Sequence, residues 1–239
     1  MNFTSSHIQP FLTISDSHGK SLSSVNITVN YRIENYSFFG LQWIHNYDPN
    51  LSVFSLIQNE PFISLLYSTS YVLFLVGTNS IRNFFAHEAI DHINQVFTII
   101  YSQYPHLTNY KVIVPACIPC FKISKRFPTT LLLMNNINHY NQLLFQLSHK
   151  YNFLCFDLCI PSHWLGDDMI HIGYRYRHDF SNLLLTYING LHISRNLLKT
   201  VNKGPSEEIH RRNKKRNLKL KNIRKNYTLV REIPPNLVK

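Results

Sequence analysis

Short apolar runs alternate along this chain with stretches whose apolar residues recur at helical spacing, and that alternation leaves few architectures open. Strand-like runs lie at Phe11–Ile14, within Tyr31–Phe39, and at Tyr71–Val76, Lys111–Val114 and Phe153–Asp157. Between them, Asn59–Tyr67 fits a short helix with Pro61 in its first turn. Ile90, Ile93, Phe97, Ile100 and Tyr104 repeat at helical spacing, as do Leu143, Leu144 and Leu147 within Leu131–Tyr151. Phe180, Leu183, Leu184, Tyr187 and Ile188 give a closing helix its apolar face. Strands separated by helices read as a parallel sheet, because parallel neighbours must be joined by crossovers. The expected fold is α/β: a three-layer, flavodoxin-like arrangement with a five-stranded parallel sheet flanked by helices. The segment after the first strand is too short for a long helix, so that crossover must be abbreviated. In such sheets the binding crevice lies outside the carboxyl ends of the strands.

Chemistry-bearing residues fall at those ends. Ser17 follows the first strand, in Ser15-Asp16-Ser17-His18-Gly19. Gly40 follows the second, and Asn79 sits in Gly77-Thr78-Asn79-Ser80 after the third. Asp168 and His171 share one loop after the fifth. A serine hydroxyl is a weak nucleophile at neutral pH until a base takes its proton; an imidazole can do this if a carboxylate fixes its tautomer. Asp168 and His171, three positions apart, can hydrogen-bond within one turn. A backbone N–H at Gly40 and a side-chain amide at Asn79, with the N–H of Ser17, are the donors that an oxyanion hole needs.

Ser17, Gly40, Asn79 and His171, in that order, resemble the SGNH (GDSL-type) esterase and lipase family over roughly residues 10 to 190. The resemblance implies a serine esterase working through an acyl-enzyme, with Ser17 as nucleophile and Asp168–His171 as the base pair. Ser17, Gly40 and Asn79 would hold the oxyanion, and no metal or organic cofactor would be required. Two positions depart from the family's pattern. Its Gly-Asp-Ser block is Ser15-Asp16-Ser17 here, which is expected to put a Cβ into a tight turn, and its Gly-x-Asn-Asp block ends in Ser80. Neither departure removes a reacting group, and the catalytically inactive scaffold they would favour is the third reading, after the esterase and a nucleic-acid-associated protein.

Each residue also has an ordinary reading. Ser17 alone would be a turn serine, His171 a surface histidine, and Asn79 a turn residue. Asp167 rivals Asp168 as the orienting carboxylate. His18 is expected to be structural, since it cannot readily fold back onto the Ser17 hydroxyl, and Asp16 to hydrogen-bond its own loop. Trp164 and His163 either line the pocket or pack the loop. Cys117, Cys120, Cys155 and Cys159 lie in or beside strand-like runs, which favours small buried hydrophobes over a four-thiolate zinc site.

Charge divides the 239-residue chain unevenly. Residues 1–202 carry 12 Lys and Arg against 10 Asp and Glu, whereas residues 203–239 carry 12 against 3. Most of the formal net charge of +11 therefore belongs to the end of the chain. The expected organisation is a leader over 1–9, a hydrolase-like body over 10–200 and a basic tail over 201–239. Arg211, Arg212, Lys214, Lys215 and Arg216 would contact phosphates without reading bases, giving non-specific RNA or DNA binding. An esterase domain with such a tail looks like the esterase-bearing proteins encoded by some non-LTR retrotransposons, and the alternative function is a nucleic-acid-associated protein with a secondary or inactive esterase domain. The first residues have neither a basic start nor an apolar stretch, and no segment is suited to spanning a membrane. These features predict an intracellular protein, cytoplasmic or nuclear, whose substrate is a small ester or acylated molecule.

Overall fold

The computed structural model describes residues 8–201, with side chains described as far as Leu191. The chain divides into two compact units, Met1–Gly190 and Leu191–Lys239. The tail cations at 211–216 lie outside the described residues.

The first unit is built on a five-stranded sheet. Its strands are β1 (Gln9–Ser15), β2 (Val25–Ile27), β3 (Tyr31–Ser37), β4 (Tyr71–Leu75) and β5 (Val112–Ile113), in the order β2-β3-β1-β4-β5. β3, β1, β4 and β5 run parallel, whereas β2 pairs antiparallel with β3. The helices are α1 (Val53–Leu56), α2 (Phe62–Ser68), α3 (Thr78–Asn83), α4 (Ala86–Gln103), α5 (Thr130–Tyr151) and α6 (Arg177–Val201). The expected α/β architecture is the one the chain adopts.

Two details of the sheet differ from the sequence reading. β2 was not anticipated: its Val25 and Ile27 are exposed, so no core-facing period marks it. Conversely, Phe153–Asp157 is not a regular strand, although it runs beside β5 as expected. The Leu154 N–H donates to Val112 O (2.9 Å), Val114 N–H to Leu154 O (2.9 Å), and Ala116 N–H to Phe156 O (2.8 Å). This is a parallel ladder too short and irregular to be more than a bridge at Leu154. The first crossover is short, as predicted: a single 3₁₀ turn, Ser17–Ser21, followed by β2.

Alternation along the strands sorts side chains between two faces. Leu12, Ile14, Val72, Phe74, Val112 and Val114 join one continuous core with residues of α1 to α5. α4 contributes Ala89, Ile93, Val96, Phe97 and Ile100, all fully buried, which follows its helical apolar spacing. Trp43 is buried in the same core, and its indole Nε1–H donates to Tyr140 Oη (3.1 Å). Phe11, Leu73 and Ile113 are equally buried on the opposite face. Phe180, Leu184 and Ile188 of α6 are buried outside the main cluster.

Strand register fixes where the functional segments meet. Ser15 pairs with Ser37 on one side and Leu75 on the other. Two residues further along each strand stand Ser17, Phe39 and Gly77, followed by Gly40 and by the start of α3 with Asn79. Three neighbouring strands thus deliver their loops to one edge, with Ser17 in the middle.

Candidate active site

Ser17 opens the 3₁₀ turn that ends β1. Asp16 caps this turn, its Oδ1 accepting the backbone N–H of His18 (3.0 Å). The turn is anchored on both sides, because Asp16 N–H donates to Leu75 O (3.0 Å) and Phe38 N–H donates to Ser15 O (2.9 Å). Ser17 is half-buried and faces a cavity of about 270 Å³.

Asp168 and His171 line the same cavity. They belong to a tight hairpin: Leu165 bridges Ile172 antiparallel, Gly166 N–H donates to His171 O (2.8 Å), and Gly173 N–H donates to Trp164 O (2.7 Å). Met169 completes the turn in the left-handed region at φ 57°. Asp168 Oδ1 accepts the backbone N–H groups of Ile170 and His171, both at 3.0 Å, and Oδ2 is hydrogen-bonded to His171 Nδ1. Partial burial works to raise the Asp168 pKa, but the two backbone donors and the His171 ring outweigh it and hold it down at about 2. Asp168 is therefore ionised at every pH at which an imidazole base is neutral, and His171 Nε2 is left to face the cavity.

The rivalry between the two carboxylates is resolved by this geometry. Asp167 lines the cavity, but Asp168 is the partner of His171. Trp164 stacks on Tyr176 (5.6 Å, 9°) and His163 meets the same ring edge-on (5.6 Å, 75°), so both pack the loop and neither lines the cavity. Its walls include Phe39, Tyr174, Lys20 and Arg177, and Phe39 stacks on His171 (6.0 Å, 29°). Ser17 and His171 are not hydrogen-bonded to each other among the described residues; such bonds commonly tighten only when substrate is bound.

Gly40 and Asn79 do not line the cavity, although Phe39, next to Gly40, does. Gly40 takes φ 85°, a left-handed conformation that a side chain would strain. Asn79, in the first turn of α3, donates from Nδ2 to Leu41 O (3.4 Å), which ties α3 to the residue after Gly40. Among the described residues neither the Ser17 nor the Gly40 backbone N–H donates to a protein acceptor.

Both departures from the family pattern have structural answers. Ser15 is not in a tight turn, which corrects the sequence expectation. It is the last residue of β1, and its Oγ is hydrogen-bonded to Ser37 Oγ (2.7 Å). Its Cβ is accommodated because Gly19 packs on it with no side chain. A Cβ on Gly19 would fall 1.8 Å from Ser15 Oγ and 2.5 Å from Ser15 Cβ. Gly19→Ala is accordingly expected to destabilise the fold by about 1–3 kcal/mol, and adding Ser15→Gly should restore part of the loss, because the Cβ would still fall 2.7 Å from Ser37 Oγ. Urea unfolding of the single and double variants checks this; a Gly19→Ala protein as stable as the wild type would refute the packing argument. Ser80 is fully buried, and its Oγ accepts the Trp43 backbone N–H (2.9 Å). A hydroxyl thus meets the acceptor requirement at that position.

Cys117 and Cys120 are buried, Cys155 is half-buried and Cys159 is exposed. Burial pushes the Cys155 thiol up to about 11 and Cys117 higher still, which disfavours thiolate at neutral pH. Among the described residues no three His, Cys, Asp or Glu side chains are grouped as a metal ion would need, and no helix is long and apolar enough to cross a membrane.

Comparison with solved structures decides the fold. A GDSL-like lipase from Bacteroides thetaiotaomicron superposes with a TM-score of 0.56 at 11% identity, covering 77% of this chain and 89% of the lipase. The fold is that of the SGNH hydrolases. A carbohydrate acetylesterase from Sinorhizobium meliloti shares this SGNH-type fold with a TM-score of 0.53 at 14% identity, over 77% of this chain and 99% of that one. So does a psychrotrophic esterase from Pseudoalteromonas, with a TM-score of 0.51 at 10% identity, over 77% and 98%. No family model and no curated protein matches the sequence.

The sequence reading missed the role of the His18 ring. Its Nδ1 is hydrogen-bonded to Asp16 Oδ1 (2.7 Å) and its Nε2 to Ile170 O (3.0 Å). The Asp16 partner, two residues away, was within reach of sequence reasoning. Ile170, 152 residues downstream, was not.

Proposed function

We propose that this chain is a serine esterase that cleaves carboxylic esters through an acyl-enzyme. The observation that carries the reading is that Ser17 and the Asp168–His171 pair, from opposite ends of the fold, line one cavity. In this mechanism Ser17 Oγ attacks the ester carbonyl carbon while His171 Nε2 takes the hydroxyl proton. Asp168 holds Nδ1–H and stabilises the imidazolium that forms. The negative charge that develops on the carbonyl oxygen is met by the free N–H groups of Ser17 and Gly40 and by the Asn79 amide. The alcohol leaves with the proton from His171, and a water activated by the same ring releases the acid. A lipase and two esterases among proteins of this fold support an ester bond as the target. The test is turnover of short-chain p-nitrophenyl esters by the purified full chain. Measurable hydrolysis that persists through further purification is expected, and a folded protein with none would contradict the proposal.

The charge distribution favours a second role on the same chain, as in the retrotransposon-encoded esterase proteins described above. On this reading the tail binds nucleic acid and the protein works in the cytoplasm or nucleus. If about five to eight cations of residues 203–239 meet phosphates, the log–log salt slope of single-strand binding should be roughly −4 to −6. Replacing Arg211, Arg212, Lys214, Lys215 and Arg216 with Gln should make that slope shallower by about 3.5 and leave ester turnover unchanged. Equal affinity and slope for the two proteins would exclude these residues as the contact.

A further inference from the structure

We infer that His18 is a positioning residue: its imidazolium ring clamps the turn that carries Ser17 to the hairpin that carries His171, and so sets the distance between nucleophile and base. This rests on the serine-esterase reading for its consequence, though not for its geometry. His18 follows Ser17 directly in the chain, and Ile170 directly precedes His171. The His18 ring bridges the two segments, with Asp16 Oδ1 at 2.7 Å from Nδ1 and Ile170 O at 3.0 Å from Nε2. Its side chain and that of Asp16 are both 1% exposed, so water cannot take the place of either partner. The His18 and His171 rings lie 5.8 Å apart, centroid to centroid. No other described side chain joins these two segments by a hydrogen bond.

The partners dictate the charge state. A carboxylate and a carbonyl oxygen are both acceptors, so each ring nitrogen must carry a proton for both bonds to exist. A neutral ring would turn one lone pair toward an oxygen in a buried site, and such unmade bonds are costly. Burial itself lowers the pKa of His18. The neighbouring Asp16 charge, the hydrogen bonds to Asp16 and Ile170 and the more distant Asp168 overcome that effect and raise it above the usual histidine value. The other groups around it are His171 from the hairpin, Cys117 from the segment after β5, and Lys20, Asp167 and Arg177 around the cavity. Cys117 is held neutral by burial. Because the folded pKa is raised, the clamp is complete below the usual histidine pKa and is lost as pH rises through the raised one.

The test uses the full-length protein with nitrogen-15-labelled histidine. NMR should find both His18 ring nitrogens protonated below the usual histidine pKa and the ring losing its proton only above that value. As the ring loses its proton with rising pH, the rate at which a fluorophosphonate phosphonylates Ser17 should fall by about tenfold or more with the same midpoint, because a misplacement on the ångström scale costs that much or more. His18→Gln keeps side-chain bulk and cannot form both bonds, so it should lower kcat by about tenfold or more with KM changed less than about twofold. A ring that has one bare nitrogen below the usual histidine pKa overturns the inference. So does a labelling rate that ignores the ring's titration, or a folded His18→Gln protein with wild-type kcat. If Ser17 takes no probe at any pH, the esterase reading fails, and the clamp is judged by the ring protonation of the wild-type protein alone.

Discussion

Ser17→Ala and His171→Ala should each reduce ester turnover on the order of 10⁴–10⁶-fold while leaving the protein folded. Nucleophile and base act as one unit, so the double variant should be no slower than either single one. Both positions tolerate truncation for structural reasons. Ser17 makes no side-chain hydrogen bond among the described residues, and the His171 ring is at the cavity wall with 29% of its side chain exposed. The hairpin should also survive, because Asp168 is still held by the backbone N–H groups of Ile170 and His171. Circular dichroism and steady-state kinetics of the purified variants check the expectation. Substantial turnover by Ser17→Ala protein would assign the chemistry to another group.

Asn79→Ala should lower kcat on the order of 10²–10³-fold with little change in KM. The Asn79 amide is expected to meet charge that exists only in the transition state, so its loss is felt in the chemical step. The substitution also removes the bond to Leu41 O, but at 3.4 Å that is a long contact whose loss costs little stability. The loop it touches is secured independently by the Trp43 N–H on Ser80 Oγ. A rise confined to KM would instead make Asn79 a residue that shapes the pocket.

Most of the architecture was legible because the central strands and long helices bury continuous apolar sets. β1 and β4 are uninterrupted buried runs and α4 has a clear helical period, and their ends place Ser17 and Asn79 at one edge. That His171 pairs with a carboxylate of its own turn was legible from spacing, whereas the choice of Asp168 over Asp167 needed the geometry. What could not be read depended on distant partners or on exposure. β2 has no buried face. Gly19 is required because Ser15 and Ser37 stand against it, a fit of side-chain volume across two strand ends that no single motif encodes. The His18 bond to Ile170 connects the first strand's turn to a hairpin near the end of the body, and only the folded sheet brings them together.

Covalent labelling of the full-length protein by a fluorophosphonate, read by intact mass and peptide mapping, tests the central claim most directly. The account predicts one adduct per chain, on Ser17, abolished by Ser17→Ala and slowed severely by His171→Ala. A folded protein that takes no adduct, or takes it on another residue with Ser17 unmodified, would contradict it.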